Sequence, residues 1–347
     1  MKEIIRVYGR SLLFFLLALL FFAKSLSVIQ KLSKDFPTIG IRLSSAVTNQ
    51  MVGKMQETEA GDQILTVTAY SVIKTCTITE PGTGRSIKEE KVLCNGNIAD
   101  VCPVTLIEGN MLLPDDEYGC MLSEDTAYSL FGTIHVTGAK VVCQDKTYLV
   151  RGIIESELTG ILCCDAKDGD QFQNLQLSMS DLSEGRDIAE QFLLRYGIME
   201  EAVVTEYGFF ARLLKNGLIL WPAVFFVYLL FKARKQIKSH AFLPWNAAGL
   251  CLAMAVFAIV LWKCGYIPMR LIPTKWSDFS FFRSLLKKAA VHRKELAYMT
   301  PYAADIQFRN QCRIYMVTLG LSIIFQAAIL LERTASKTTL QVKGKIV

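Results

Sequence analysis

Histidine is nearly missing from this chain: His135, His240 and His292 are the three among 347 residues. That scarcity leaves little material for a zinc site or for imidazole acid–base chemistry, both of which need histidine beside other ligating or nucleophilic groups. The patterns G-x-x-x-x-G-K-[ST], H-E-x-x-H and G-x-S-x-G are also missing, so no phosphate loop, zinc-protease helix or nucleophile elbow is written here. None of the ten cysteines falls in a C-x-x-C pair, which removes a thioredoxin-like redox site. No catalytic, cofactor-binding or metal-binding residue is assigned, and no cofactor is expected.

Acidic residues are scarce in a particular place. Residues 31–215 hold 16 basic and 27 acidic residues, a net of −11, whereas the remainder holds 22 basic and only five acidic, a net of +17. The overall +6 therefore hides a division of the chain. An acidic central segment argues against a nucleic-acid partner, because phosphate contacts need clustered Lys and Arg.

The basic remainder is built around apolar runs. Residues 11–23 carry no charge, and apolar character continues past Lys24 through Leu26, Val28 and Ile29. Residues 213–231 hold one Lys and one Pro, and neither 241–262 nor 314–331 carries a charge. At 1.5 Å rise per residue, about 20 apolar residues cross a hydrocarbon core of about 30 Å. The first run, with its basic start at Lys2, Arg6 and Arg10, also has the form of a signal peptide, but Phe21-Phe22-Ala23-Lys24 is a poor cleavage site and a retained anchor is expected. The chain is 52% hydrophobic with a mean hydropathy of +0.31. The fold class expected is therefore a membrane protein. It has a four-helix transmembrane region, with one N-terminal and three C-terminal spans, and a mixed α/β extracytoplasmic domain.

Orientation follows from the excess of Lys and Arg on the cytoplasmic side. The N-terminus, the link with Lys232, Arg234, Lys235 and Lys238, and the tail with Arg333, Lys337, Lys343 and Lys345 fall on one side of four spans. The expected organisation is a cytoplasmic start (1–10), a first span (11–30), an extracytoplasmic domain with stalk helices (31–206) and a second span (207–231). A basic cytoplasmic link (232–240), a third span (241–263), an external loop (264–313), a fourth span (314–331) and a cytoplasmic tail (332–347) follow. The external loop opposes the charge rule, since 265–313 holds nine basic and three acidic residues. Within it, Phe282, Leu285, Leu286 and Ala289 recur at helical spacing between basic residues. That helix either lies on the outer membrane surface or docks on the acidic domain.

Local signals inside the domain are specific. Residues 61–72 read as a strand in which Leu65, Val67 and Ala69 face one way and Thr66, Thr68 and Tyr70 the other. Pro81-Gly82-Thr83-Gly84 is a turn. Glu108-Gly109-Asn110 and Pro114-Asp115-Asp116-Glu117 read as loops, the second solvated. Ser123 caps a helix with Glu124 and Asp125 in its first turn, buries Ala127, Leu130 and Phe131, and stops at Gly132. A hairpin follows, 138–143 and 146–154 about Gln144-Asp145. A second helix, 188–196, is closed by Gly197. Seven cysteines lie here: Cys76, Cys94, Cys102, Cys120, Cys143, Cys163 and Cys164. An extracellular setting favours disulfides, the odd count leaves one thiol over, and the connectivity is open. The adjacent Cys163 and Cys164 have separate partners or are free. A thiol-dependent enzyme would need a cysteine of lowered pKa. In the spans, Pro222 is expected to bend its helix and Gln326 to face another helix.

Glu108-Gly109-Asn110, then Ser123-Glu124-Asp125-Thr126-Ala127-Tyr128-Ser129-Leu130-Phe131-Gly132, then Gly138-Ala139-Lys140 and Lys146-Thr147-Tyr148-Leu149-Val150-Arg151-Gly152-Ile153-Ile154, resemble the extracytoplasmic core domain of MacB/FtsX-type ABC transporter permeases. The span order matches that family too. The resemblance implies a subunit of a bacterial cell membrane that pairs with a cytoplasmic ABC ATPase, works as a homodimer or as a heterodimer with a second permease, sits in the lipid bilayer and is not itself an enzyme. It also implies that ATP-driven motion reaches the external domain through stalk helices, for export, extraction or signalling. One departure is plain: the family's cytoplasmic docking helix, of the kind E-R-x-x-E-I-G-x-x-R-A-x-G, has no counterpart in the short basic link. The alternative is a membrane-anchored binding or sensing module without ATPase coupling.

Overall fold

The computed structural model describes residues 2–59, 63–101, 103–114, 116–155, 158–179, 185–238, 244–264, 272 and 279–343. In chain order the elements are α1 (Lys2–Asp35), β1 (Thr38–Thr48), α2 (Asn49–Glu59), β2 (Ile64–Thr79), β3 (Ser86–Asn95), α3 (Ile98–Val101), β4 (Thr105–Gly109), β5 (Gly119–Ser123), α4 (Glu124–Phe131), β6 (Lys140–Cys143), β7 (Lys146–Glu155), β8 (Ile161–Cys163), β9 (Gln171–Met179), α5 (Gly185–Arg195), β10 (Ala202–Thr205), α6 (Tyr207–Lys215), α7 (Leu220–Lys238), α8 (Pro244–Cys264), α9 (Phe279–Tyr298) and α10 (Ala303–Lys343). They form two units: a sheet unit, Asp35–Phe209 with Pro273–Phe308, and a helical unit from the rest. Cys102, Asp115 and much of the external loop lie outside the described residues.

The sheet unit is mixed α/β. Its ten strands run β10-β1-β9-β2-β3-β8-β5-β7-β4, with β6 pairing both β2 and β7. Two pairs, β3–β8 and β5–β7, are parallel. Parallel neighbours need a crossover, and α4 supplies it between β5 and β7. Two apolar clusters fill the unit. One packs Val52 and Met55 of α2 and Phe192 and Leu193 of α5 against Ile39, Ile41, Phe172 and Leu177. The other packs Ala127 and Leu130 of α4 against Leu122, Val141, Val150, Ile153 and Ile161.

The α4 segment forms as its sequence dictates. Ser123 is extended, and its Oγ accepts from the Thr126 N–H at 3.3 Å, while the Gly132 N–H donates to the Tyr128 carbonyl at 2.8 Å. Gly132 is left-handed (φ 74°), the conformation that glycine adopts without steric penalty. The Ser123 Oγ does more than cap, because it also accepts from the Gly160 N–H at 3.2 Å and so joins α4 to the start of β8. The β6–β7 hairpin turns on Gln144 and Asp145, both at positive φ, the twist that two-residue hairpins require.

Three expectations for strands and loops are corrected. Leu65 is half exposed although Val67 and Ala69 are buried, because a register irregularity between Ile64 and Thr66 rotates it outward. Thr68 and Tyr70 are buried as well, so this strand is covered on both faces. Glu108 and Gly109 belong to edge strand β4, paired with Ile153 and Gly152, not to a loop. Gly109 has φ 81°, and a Cβ there would lie 2.2 Å from the Arg151 carbonyl. Asp116 is not merely solvated: Arg151 Nε donates to it at 2.7 Å, and that bond holds its carboxyl below the usual range.

A buried polar knot adjoins the second cluster, to which Tyr148 belongs. Lys91 Nζ donates to the Tyr148 hydroxyl at 2.8 Å, that hydroxyl donates to Asp165 at 2.7 Å, and Lys146 Nζ donates to Asp165 at 2.9 Å. Burial pushes the Asp165 carboxyl up, but the bonds from Tyr148 and Lys146 and the charge of Lys91 outweigh it and hold the group below the usual range.

Two outcomes follow from these contacts. Ser123→Ala removes an acceptor for two backbone N–H groups and is expected to destabilise the purified chain by about 1–2 kcal/mol, read as a lowered melting temperature. Asp165→Asn leaves Lys91 buried without its counter-charge and is expected to cost about 3 kcal/mol at neutral pH. Because the folded carboxyl titrates below its unfolded value, its stabilisation is complete above pH ~4 and is lost as pH falls through the folded value. The gap between wild type and variant should therefore be constant from neutral pH to about pH 5 and narrow below about pH 4.

Candidate coupling site

Arg42 is a buried cation in the middle of β1, 8% exposed. Its guanidinium donates to the Thr300 carbonyl at 2.6 Å and to the Asp305 carboxylate, and it lies 4.6 Å from the centre of the Tyr302 ring. Asp305 is in the first turn of α10 and takes three donors: Arg42, the Tyr207 hydroxyl and the backbone N–H of Tyr302 at 2.9 Å. In the last bond Asp305, third residue of α10, takes the backbone N–H of the residue that precedes the helix, and its negative charge faces the positive end of the helix dipole. One carboxylate thus ties a central strand, the first residue of α6 and the N-terminus of α10.

A ring of aromatics surrounds the same point. Phe36, Tyr207 and Phe308 lie with centroids 5.4 Å (Phe36–Tyr207), 5.2 Å (Phe36–Phe308) and 5.1 Å (Tyr207–Phe308) apart. Tyr70 meets Tyr302 edge-on at 5.9 Å. Phe36 follows α1, Tyr207 opens α6 and Phe308 is in α10, so three of the segments by which the chain leaves the sheet unit are gathered at one place. Beside the clamp is a cleft of ≈ 230 Å³ lined by Tyr70, Lys74, Glu90, Thr159 and Tyr302. Burial holds the Glu90 carboxyl above its usual range there, against the charge of Lys74.

In the helical unit, three described helical segments are long and apolar enough to cross a membrane: Gly9–Asp35, Tyr207–Phe231 and Ala303–Leu330. The expected third span, 241–263, corresponds to α8, whose shorter described apolar stretch is Cys251–Lys263. Polar side chains fix the packing. Ser322 Oγ donates to the Ala18 carbonyl at 2.7 Å, Gln326 Nε2 to the Trp221 carbonyl at 3.0 Å, and the Tyr315 hydroxyl to the Leu214 carbonyl at 2.7 Å. Gln326 faces a neighbouring helix as its cost in lipid requires. Pro222 stands in the first turn of α7, just after a 3₁₀ segment, Asn216–Ile219, that divides the span into α6 and α7 on the side where a proline ring crowds the preceding turn. Gly217 lies in that segment, and a Cβ on it would meet the Tyr315 hydroxyl at 2.8 Å.

Where other expected residues fall is mixed. The helix expected in the external loop is α9, Phe279–Tyr298, with Phe282 and Leu286 exposed. His135 is exposed and its Nδ1 lies 2.6 Å from Glu108. The clamp residues Arg42, Tyr207, Thr300, Tyr302 and Asp305 carried no sequence signal beyond the cost of a charge between apolar strand positions.

No family model matches the chain, and no curated protein matches it. Among solved structures it is similar to the periplasmic region of MacB from Actinobacillus actinomycetemcomitans, at 13% identity and a TM-score of 0.43, over 50% of this chain and 90% of that one. It is also similar to the extracellular domain of the noncanonic ABC-type transporter YknZ from Gram-positive bacteria (16%, TM-score 0.38, 48% and 99%). A third is a permease-protein domain from Porphyromonas gingivalis (16%, TM-score 0.35, 49% and 88%).

Removing one member of the clamp should leave either buried Arg42 or partly buried Asp305 unpaired. Arg42→Ala and Asp305→Ala are each expected to destabilise the chain by about 3–5 kcal/mol, while the apolar pair Arg42→Met with Asp305→Leu recovers most of that loss. Thermal unfolding of the detergent-purified variants measures it. A double variant no more stable than the singles would show that the ion pair is not what holds this corner.

Proposed function

We propose that the chain is a permease-type membrane subunit of a MacB-like ABC system, passing ATP-driven motion from a separate cytoplasmic ATPase to an extracytoplasmic domain. The observation that carries this reading is the clamp. α10 is one helix from Ala303 to Lys343, and its first turn is bonded to the middle of β1. A shift of that helix along its axis would be delivered to the sheet through a buried ion pair rather than through a loop. The resemblance of residues 108–154 and the order of the apolar runs support the same reading. In it, the sheet unit lies outside the cell, the basic link and tail lie inside, ATP chemistry belongs to the partner, and the chain is not itself an enzyme. Two copies, or one copy with a second permease, would complete a transport path.

The basic link of 232–240 favours a second reading, a membrane-anchored binding or sensing module that keeps the fold without the drive. Purification of the tagged chain from its native membrane in mild detergent separates the two. A stoichiometric ABC ATPase is expected to accompany it. Its absence, under conditions where another permease of the same cell retains its ATPase, would overturn the permease reading and leave the binding module.

A further inference from the structure

Strand β8 is three residues long, yet it lies between two neighbours, parallel to β3 and antiparallel to β5. Cysteines mark both seams. On the β5 side, Cys120 stands directly opposite Cys163. The Ser123 N–H donates to the Gly160 carbonyl at 3.1 Å, which makes that pair a hydrogen-bonded one. Hydrogen-bonded and non-hydrogen-bonded pairs alternate along an antiparallel ladder, so three steps further Cys120 and Cys163 form a non-hydrogen-bonded pair. Cα atoms in such pairs are about 4.5 Å apart with side chains on one face, inside the span a disulfide accepts. On the β3 side, Leu93 is in register with Cys163, so the next residues, Cys94 and Cys164, are neighbours. Successive side chains of a strand point to opposite faces, so Cys163 shares one face of the sheet with Cys120 and Cys164 shares the other with Cys94.

All four thiols are buried, and their sulfurs are unbridged in this structure. The hydrogen bond to Cys164 and then burial push the Cys94 thiol well up, and burial pushes those of Cys120 and Cys163 up. None of these three is an activated nucleophile, so a thiol-dependent reaction finds no support at them. The structure already bridges Cys76 and Cys143, in the same apolar cluster as Cys120 and Cys163.

We propose that Cys120–Cys163 and Cys94–Cys164 are two further disulfides, closed during folding, that stitch β8 to β5 from one face of the sheet and to β3 from the other. Each closes by exchange with a protein or small-molecule disulfide outside the membrane. Two S–H bonds here and the donor's S–S bond break, one S–S bond forms in the domain, and the two protons and the electron pair end on the donor's two thiols. The assignment rests on the extracytoplasmic placement of the sheet unit. It leaves Cys102 as the seventh cysteine of the domain, outside the described residues.

The full-length chain, purified from membranes of a host with an oxidising extracytoplasmic space, is denatured without reductant in excess N-ethylmaleimide, digested and mapped by mass spectrometry. Fragmentation between Cys163 and Cys164 assigns each partner. The expected result is Cys120–Cys163 and Cys94–Cys164 linked alongside Cys76–Cys143, with one maleimide gained at Cys163 in Cys120→Ser. If Cys76–Cys143 is linked while Cys94, Cys120, Cys163 and Cys164 all carry maleimide, the proposal fails and the placement stands. A link from any of the four to Cys102 also overturns it. Maleimide on all seven overturns the proposal and the extracytoplasmic placement together. The mapping uses wild-type chain, so it decides even where the serine variant does not fold.

Discussion

The ion pair of buried Arg42 with partly buried Asp305 is the constraint around which the sheet unit is arranged. Taking a guanidinium out of water is costly, and the cost is offset only when nearly all of its donors and its face are used. Here a carboxylate, a backbone carbonyl and an aromatic ring do so, and they come from residues 300–305. The carboxylate in turn needs its own donors, which Tyr207 and the Tyr302 backbone provide. The arrangement is therefore all or nothing. If residues 300–305 leave β1, both charges are stranded, and the aromatic ring of Phe36, Tyr207 and Phe308 loses one of its three sides. A contact of this type transmits displacement well, because packed, fully bonded groups have few alternative positions.

The helical unit uses the opposite chemistry to the same end. Its outer surface is apolar, with Leu12, Leu16 and Leu20 all exposed on α1. Burial against lipid cannot distinguish one apolar helix face from another, so the register between helices has to come from close approach and from polar bonds. Ser322, Gln326 and Tyr315 each lie on α10, and each donates to a carbonyl of another helix. α10 is thus the member bonded to both α1 and the divided span α6–α7, and the same helix carries Asp305.

Legibility in the sequence tracked the range of the interaction. The cap and stop of α4 were readable because Ser123, Thr126, Tyr128 and Gly132 are all within one short segment, and the Gln144-Asp145 hairpin was readable for the same reason. Gln326 was readable because an amide in a span has few tolerable surroundings. Leu65 was misread because a bulge is not visible in an alternating pattern, and Glu108-Gly109 because an edge strand can be rich in loop residues. The clamp left only one local trace, a charge at Arg42 between the apolar Ile41 and Leu43, and nothing that named its partners. Its members are 263 residues apart, and nothing in the composition near Arg42 or Asp305 distinguishes a structural charge from a surface one.

The break in the second span shows why local reading falls short even where the signal is strong. Pro222 does mark an irregularity, but the helix accommodates it by placing it in the first turn of α7. The distortion is moved upstream, into the 3₁₀ segment. That displacement has a tertiary cause. Gly217 leaves room for the Tyr315 hydroxyl, which reaches past it to the Leu214 carbonyl. The Leu214 carbonyl, near the end of α6, accepts from α10 as the Ala18 and Trp221 carbonyls do. Proline, glycine and the tyrosine of a distant helix act as one device, and only the first two are visible in the segment that breaks.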